Sequence, residues 1–158
     1  MTELHLTHVR ADGTAHMVDV SAKAITVRTA TATGRVLLSA AAVAALRSGT
    51  VPKGDALSVA RIAGIQAAKR TPDLIPLAHP ISVHAVEVDL VVVDDGVALT
   101  ATVRTADRTG VEMEALTAVS VGALALIDMV KAVDKHARIT DIHVTAKSGG
   151  RSGDWVAP

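Results

Sequence analysis

A long apolar segment in the last third of the chain most constrains the fold. Residues 110–133 are mostly Ala, Val, Leu, Ile and Met without proline, which predicts a helix buried on nearly all sides. Four charged residues interrupt it, Glu112 and Glu114 near its start and Asp128 and Lys131 near its end. Charged side chains are almost never buried unless they are paired or functional. This helix therefore predicts a functional site.

The spacing of residues on this helix gives two further predictions. At about 100° per residue, one stripe would allow another helix to approach closely, namely Ala115, Ala118, Gly122, Ala125 and Met129. Glu114 and Asp128 share another side but lie about 21 Å apart along the axis, at about 1.5 Å rise per residue. A site that uses both would need two copies of the chain, whose related helices contribute opposite ends.

A purely structural interpretation of these charges is equally simple. Asp128 and Lys131 have the i,i+3 spacing of an ion pair within one helix. Glu112 and Glu114 stand where the helix dipole favours acidic residues. If the site is functional, burial beside opposite charges is expected to shift the pKa values of Asp128 and Lys131.

Composition excludes several classes of protein. The 158 residues fit one domain, 1–158, whose core must be aliphatic because the chain has no Phe, no Tyr and one Trp. The lack of aromatic stacking platforms and a formal net charge of zero argue against nucleic-acid binding. Without cysteine there are no disulfides or thiolate metal sites, and the histidines lack zinc-site spacing. No metal or cofactor is expected, and a metal site assembled only by folding stays open without positive support.

The chain is expected to be a cytoplasmic protein with no membrane partner. Its first residues lack the basic and apolar regions of a signal peptide. The apolar segment 110–133 is long enough to span a bilayer, but its four charged residues argue against that.

Turn and cap signals divide the chain into alternating strands and helices. The predicted order is a strand over 24–32, a helix from Ser39 to Gly49, a helix from Asp55 to about Lys69, a hairpin of strands 81–93 and 97–106, the long helix, and a strand from Ile139. This order is typical of a ferredoxin-like α+β sandwich, in which an antiparallel sheet carries its helices on one face.

Several short segments carry residues suited to anion binding or proton transfer. Lys53 precedes a predicted helix N-terminus, and Lys69 ends the same helix. Two prolines in segment 74–80 rigidify the loop around His79, which could be oriented for proton transfer. Lys147 begins a glycine-rich basic segment whose amides could approach a phosphate. Each has an ordinary structural alternative, but together they favour a phosphorylated small-molecule substrate.

Seven short segments with distinctive sequences are spread over nearly the whole chain. They are 16–23 (HMVDVSAK), 53–55 (KGD), 60–70 (ARIAGIQAAKR), 74–80 (LIPLAHP), 110–118 (GVEMEALTA), 128–131 (DMVK) and 146–150 (AKSGG). In order and spacing these segments closely resemble the MoaC family of molybdenum cofactor biosynthesis.

The resemblance implies a fold, an assembly and a reaction. Members of the family have a ferredoxin-like fold and form hexamers, as trimers of dimers with active sites at a dimer interface. The implied substrate is 3′,8-cyclo-7,8-dihydroguanosine 5′-triphosphate, which a partner radical-SAM enzyme makes from GTP. The implied products are cyclic pyranopterin monophosphate and pyrophosphate.

The resemblance also implies roles for individual residues. Asp128 is the expected catalytic acid or base, Lys131 lies beside it, and Lys53 is the other catalytic lysine. The expected substrate-binding residues are Leu77, Ala78, His79, Glu112, Met113 and Glu114. Lys69 and Lys147 are added as candidate phosphate ligands because of their positions in the sequence. The chain has Ala78 and Val130 where the family often has Cys, two departures that we expect to be minor.

Two alternatives remain from the residues alone. A non-catalytic ferredoxin-like module for nucleotide binding or oligomerisation would explain the small-residue stripe without needing Lys53, His79 and Asp128 together. A nucleoside triphosphate hydrolase is disfavoured because Walker-type motifs are missing.

Overall fold

The computed structural model describes residues 7–158. Its elements are β1 (Thr26–Leu37), α1 (Ala40–Ser48), α2 (Ala56–Ala68), α3 (Thr71–Leu74), β2 (Val83–Val93), β3 (Gly96–Asp107), α4 (Glu112–Val130), β4 (Arg138–Ser148) and β5 (Trp155–Val156). The predicted order is confirmed, although the short α3 and β5 were not predicted. β1 runs five residues beyond its predicted end, through Gly34. A Cβ at that glycine would lie only 2.7 Å from a methyl carbon of Val119, so Gly34 lets α4 approach the strand.

The five strands form one antiparallel sheet in the order β2-β3-β1-β4-β5. β1 lies at its centre, and its buried Ala30, Ala32 and Val36 alternate with partly exposed residues, as expected for a sheet that is covered on one side. α4 packs on β1, β3 and β4, while α2 packs on β2. The expected ferredoxin-like α+β sandwich, with helices on one sheet face, is therefore confirmed.

The predicted helix ends are also confirmed. The Ser39 side chain accepts a hydrogen bond from the Ala42 amide, and Asp55 accepts one from the Ser58 amide, so both residues cap helix N-termini. Gly49 ends α1 with a φ of 69°, a left-handed conformation that glycine adopts without steric cost.

α4 lies against α2 through the predicted small-residue stripe. A Cβ at Gly64 of α2 would lie 2.9 Å from the Ala118 carbonyl oxygen, and one at Gly122 would lie 3.3 Å from the Ala60 carbonyl oxygen. These contacts show that the two helices run antiparallel. The helix that packs on the stripe therefore belongs to the same chain. The stripe is no evidence for contact with a second copy of the chain.

By length and hydropathy alone, α4 could cross a membrane. In the fold, however, ten of its nineteen residues are buried against the sheet and α2. These properties are those of a core helix, so they are not evidence for a membrane span.

Replacement of Gly64 by alanine tests the close helix contact. The new methyl group would meet the Ala118 carbonyl oxygen, a backbone atom that cannot rotate away. Such overpacking costs about 1–3 kcal/mol, which outweighs the ~1 kcal/mol that alanine gains over glycine in helix propensity. We therefore expect Gly64→Ala to lower the free energy of unfolding in urea. Gln66→Ala, at an exposed position of the same helix, is the control and should change it little.

Candidate active site

The charged residues of α4 fall into two clusters at its opposite ends. Because α2 runs antiparallel to α4, the loop before α2 reaches the C-terminal end of α4 and brings Lys53 there. The loop between α3 and β2 carries His79 to the cavity at the N-terminal end of α4, where Glu114 lies. The predicted site residues are thus divided between two regions of one chain.

The first cluster is an aspartate held between two lysines. Lys53 Nζ lies 2.8 Å from Asp128 Oδ2, and Lys131 Nζ lies 2.7 Å from Asp128 Oδ1. The turn at Gly54, with a φ of 99°, shapes the loop that places Lys53 over the helix end. All three side chains point outward from the core, on the surface of the chain.

The exposure of this cluster differs from the sequence-based expectation. The side chains of Asp128 and Lys131 are 55% and 58% exposed rather than buried, because they lie on the side of α4 away from the core, whereas the neighbouring Met129 and Val130 are buried. Hydrogen bonds from Lys131 and then from Lys53 lower the pKa of Asp128 to about 2. Asp128 is therefore fully ionised at neutral pH, and the cluster carries a net positive charge.

The second region is a cavity of about 440 Å³ at the N-terminal end of α4. Six predicted substrate-binding residues line it together, namely Leu77, Ala78, His79, Glu112, Met113 and Glu114. The chain segment before β1 closes one side, through Val18, Val20 and Lys23. The volume lies in the range typical of small-molecule sites.

The two glutamates of this cavity are in different electrostatic environments. Glu112 pairs with Lys147, whose Nζ lies 2.9 Å from Glu112 Oε1. Glu114 is only 3% exposed and makes no salt bridge among residues 7–158. Burial, with a smaller contribution from the Glu112 charge, raises the pKa of Glu114 to about 7. One chain thus leaves a buried carboxyl group that faces the cavity without a cation beside it.

His79 is held in one orientation, as its proline-flanked loop predicted. Its Nε2 lies 2.7 Å from the Val18 carbonyl oxygen, and a carbonyl oxygen can only accept, so Nε2 is the donor. In the neutral ring, Nδ1 is then a proton acceptor. The same hydrogen bond ties the segment before β1 to the wall of the cavity.

A smaller polar cavity of about 130 Å³ adjoins the first and shares Lys23 and Glu112 with it. It adds two cationic side chains, Arg28 and Lys147, and the backbone of the glycine-rich loop. Gly149 has a φ of 85°, and a Cβ there would collide with the Val27 carbonyl oxygen. Backbone and cations together suit an anionic group of the size of a phosphate.

Lys23 and Arg28 line these cavities but were not among the candidates predicted from the sequence. Lys23 stands at the end of segment 16–23, whose resemblance to the MoaC family was the available signal. Lys69 was proposed as a phosphate ligand, but it ends α2 as an exposed residue and lines neither cavity. Its position fits the helix-dipole interpretation instead.

The part of the chain that the structure describes contains no group of three or more His, Asp or Glu side chains arranged to hold a metal ion. The two regions offer carboxyl, imidazole, ammonium and guanidinium groups. Groups of these kinds can transfer protons and stabilise negative charge on phosphate oxygens.

Comparison with known proteins identifies the family. The MoaC family matches residues 17–150. A protein of Streptomyces coelicolor named cyclic pyranopterin monophosphate synthase is 67% identical over 151 residues, which cover 96% of this chain and 89% of that protein. A Nocardioides protein of the same name is 65% identical, covering 97% of this chain and 96% of that protein. The chain belongs to the MoaC family.

The pKa of Asp128 tests directly whether Lys53 and Lys131 stabilise its carboxylate. We expect Lys131→Met to raise this pKa from about 2 toward the ordinary value, because it removes the larger of the two stabilising hydrogen bonds. Lys53→Met should raise it less, and the double variant should raise it most. The measurement is a carboxyl-carbon NMR titration between about pH 1.5 and pH 6. An unchanged Asp128 pKa in the double variant would show that the two lysines do not lower it.

Proposed function

We propose that this protein is a cyclic pyranopterin monophosphate synthase of molybdenum cofactor biosynthesis. It converts 3′,8-cyclo-7,8-dihydroguanosine 5′-triphosphate into cyclic pyranopterin monophosphate and releases pyrophosphate. The observation that carries the proposal is the contact among Lys53, Asp128 and Lys131, since two distant family segments meet there in one ionic cluster. Relatives that bear this name are 58–67% identical over nearly the whole chain.

We further propose the cellular setting of the reaction. The enzyme acts in the cytoplasm on a substrate that a radical-SAM partner makes from GTP. It assembles as a hexamer, a trimer of dimers, with each active site at a dimer interface. These statements extend the family resemblance and rest on it.

The division of the site into two regions supports a shared active site. Glu114 and Asp128 lie about 21 Å apart along α4, too far for one small substrate to contact both in one chain. In a two-fold dimer, the lysine cluster of one chain can face the cavity of the other. The positive cluster would then supply the cations that Glu114 lacks within its own chain.

The two cavities hold chemically different parts of the substrate. The larger cavity, with Glu112, Glu114 and His79, offers acceptors and donors for the polar heterocycle. The smaller cavity, with Lys23, Arg28 and Lys147, is positioned for the phosphates, where cations stabilise the charge of the leaving pyrophosphate.

The lysine cluster is the proposed catalytic group. Lys53 and Lys131 each hold a proton against Asp128, so either ammonium can donate a proton or stabilise developing negative charge on a phosphate oxygen. Asp128 becomes a stronger base when substrate draws one lysine away, because each lysine lowers its pKa. Asp128 and its lysines are thus expected to act as one unit.

A non-catalytic nucleotide-binding module is the alternative. Incubation with the cyclic GTP-derived triphosphate distinguishes the two, with pyrophosphate release and product mass as readouts. Turnover supports the synthase, whereas binding without pyrophosphate release supports the module. Plain GTP should not be hydrolysed, because the chain has no Walker-type motif.

Substitutions in the cluster test its catalytic role. We expect Asp128→Asn and Lys131→Ala each to lower turnover by about 10²-fold or more, the usual range for a proton-transfer group. Both side chains are largely exposed, so melting temperatures should change little. Lys135→Ala removes a nearby exposed lysine outside the cluster and should keep full activity. Near-normal turnover by folded Asp128→Asn protein would remove the catalytic assignment.

Mixing of two inactive variants tests whether the site is shared between chains. Glu114→Ala damages the cavity, and Asp128→Asn damages the cluster. If each site joins the cavity of one chain to the cluster of its partner, random re-assembly of equal amounts restores about a quarter of the sites. The matched control mixes Lys53→Ala with Asp128→Asn, two changes in the same cluster, and should restore none. Absence of recovery in the first mixture would place the complete site within one chain.

A further inference from the structure

We propose that Asp134 is a positioning residue of this enzyme, whose carboxylate ties the end of α4, which carries Lys131, to the segment of the chain that carries Lys53. The inference rests on the proposed function, because it concerns how the two lysines are kept on either side of Asp128. Asp134 is 6% exposed and lines neither of the two cavities described above. It therefore acts through the lysine cluster and not by contact with substrate.

The carboxylate of Asp134 is buried and fully hydrogen-bonded. Among residues 7–158, only Asp134 and Glu114 are buried acidic or basic side chains. Both carboxylate oxygens of Asp134 accept hydrogen bonds from backbone amides. The Ser39 amide nitrogen lies 2.6 Å from Oδ2, and that of His136 lies 2.8 Å from Oδ1. These bonds offset the cost of burying a charge, and the first joins two residues that are 95 positions apart in the sequence.

On one side of this bond lies the end of α4. The amides of Val133 and Asp134 both donate to the Val130 carbonyl oxygen, over 2.8 Å and 3.0 Å, so a tight turn connects Asp134 to the last turn of the helix. Lys131 lies within this turn. Helix ends fray readily unless other contacts hold them. The Asp134 side chain supplies such a contact, and it fixes the backbone from which Lys131 reaches Asp128.

On the other side lies the segment that carries Lys53. Ser39 caps the N-terminus of α1. The loop after α1 is tied back to that helix, because the Thr50 amide donates to the Ala45 carbonyl oxygen over 2.9 Å. Val51 of the same loop is buried in the core, two residues before Lys53. A shift of Ser39 is therefore passed along α1 to the loop that places Lys53.

The lysine cluster depends on short distances. Lys53 Nζ and Lys131 Nζ lie 2.8 Å and 2.7 Å from the carboxylate of Asp128. α1 packs mainly on β2 and β3, so the bond between Asp134 and Ser39 is its direct link to the end of α4. A misplacement of about 1 Å can lower a reaction rate about 10²-fold. Loss of the link is expected to lower kcat, while the cavities at the other end of α4, and with them KM, change little.

Two substitutions remove the link from opposite sides. Asp134→Asn keeps the size of the side chain, but its amide nitrogen cannot accept a hydrogen bond from a backbone amide. Ser39→Pro removes the amide hydrogen that Asp134 accepts, and the Ser39 φ of −65° is one that proline adopts. Ser39→Ala is the matched control for the proline variant. Both variants lose the Ser39 hydroxyl, and only the alanine variant keeps the amide hydrogen.

Turnover of the cyclic GTP-derived triphosphate and the pKa of Asp128 are the two readouts. We expect Asp134→Asn and Ser39→Pro each to lower kcat about 10-fold or more, with KM changed less than about twofold. In both variants the Asp128 pKa, measured by carboxyl-carbon NMR, should rise from about 2 toward its ordinary value. Ser39→Ala should keep kcat within about twofold and the pKa of Asp128 near about 2.

A second control separates positioning from loss of stability. Val88→Ala truncates a buried side chain of β2, outside both lysine-bearing segments, and should lower the melting temperature while keeping kcat and the Asp128 pKa. Wild-type kcat and Asp128 pKa in Asp134→Asn and Ser39→Pro would overturn the inference. So would an equal loss of kcat in Val88→Ala at the same melting temperature. A wild-type chain that releases no pyrophosphate would refute the proposed function, and the Asp128 pKa in the same variants would still test the role of Asp134.

Discussion

The close packing of α4 against α2 is the interaction on which the rest of the structure depends. An aliphatic core without Phe or Tyr gains its density from short distances between backbones, and Gly64 and Gly122 allow this approach. The contact fixes α2 antiparallel to α4. For that reason the loop before α2 reaches the far end of α4, and Lys53 meets Asp128 across 75 residues of sequence.

The same helix that organises the core separates the charges. Its length keeps the lysine cluster away from the larger cavity, and its burial leaves Glu114 with a raised pKa and no salt bridge among residues 7–158. The lysine cluster lines neither of the two cavities described above, and Glu114 in the larger cavity makes no salt bridge among residues 7–158. In the proposed shared site, a second chain would bring its lysine cluster to this cavity, and the length of α4 is the reason a second chain is needed.

Local signals in the sequence predicted most of the fold. Ser39, Asp55 and Gly49 cap helices as their residue types require, and Asp94 and Asp95 form the hairpin turn. The sequence also predicted the candidate residues around His79 and Glu114, and these residues line one cavity. The sequence did not show which distant segments of the chain meet in the fold. Periodicity shows that a stripe can accept a helix but not whether that helix is α2 or a second copy. Nor does it show that Asp128, near the end of an apolar helix, projects into solvent.

In the proposed enzyme, one active site contains residues of two chains. A crystal structure of the Asp128→Asn variant with the cyclic GTP-derived triphosphate bound tests this most directly. We expect each substrate molecule to contact His79 and Glu114 of one chain and Lys53 and Lys131 of the second chain. A substrate whose contacts all come from a single chain would contradict it.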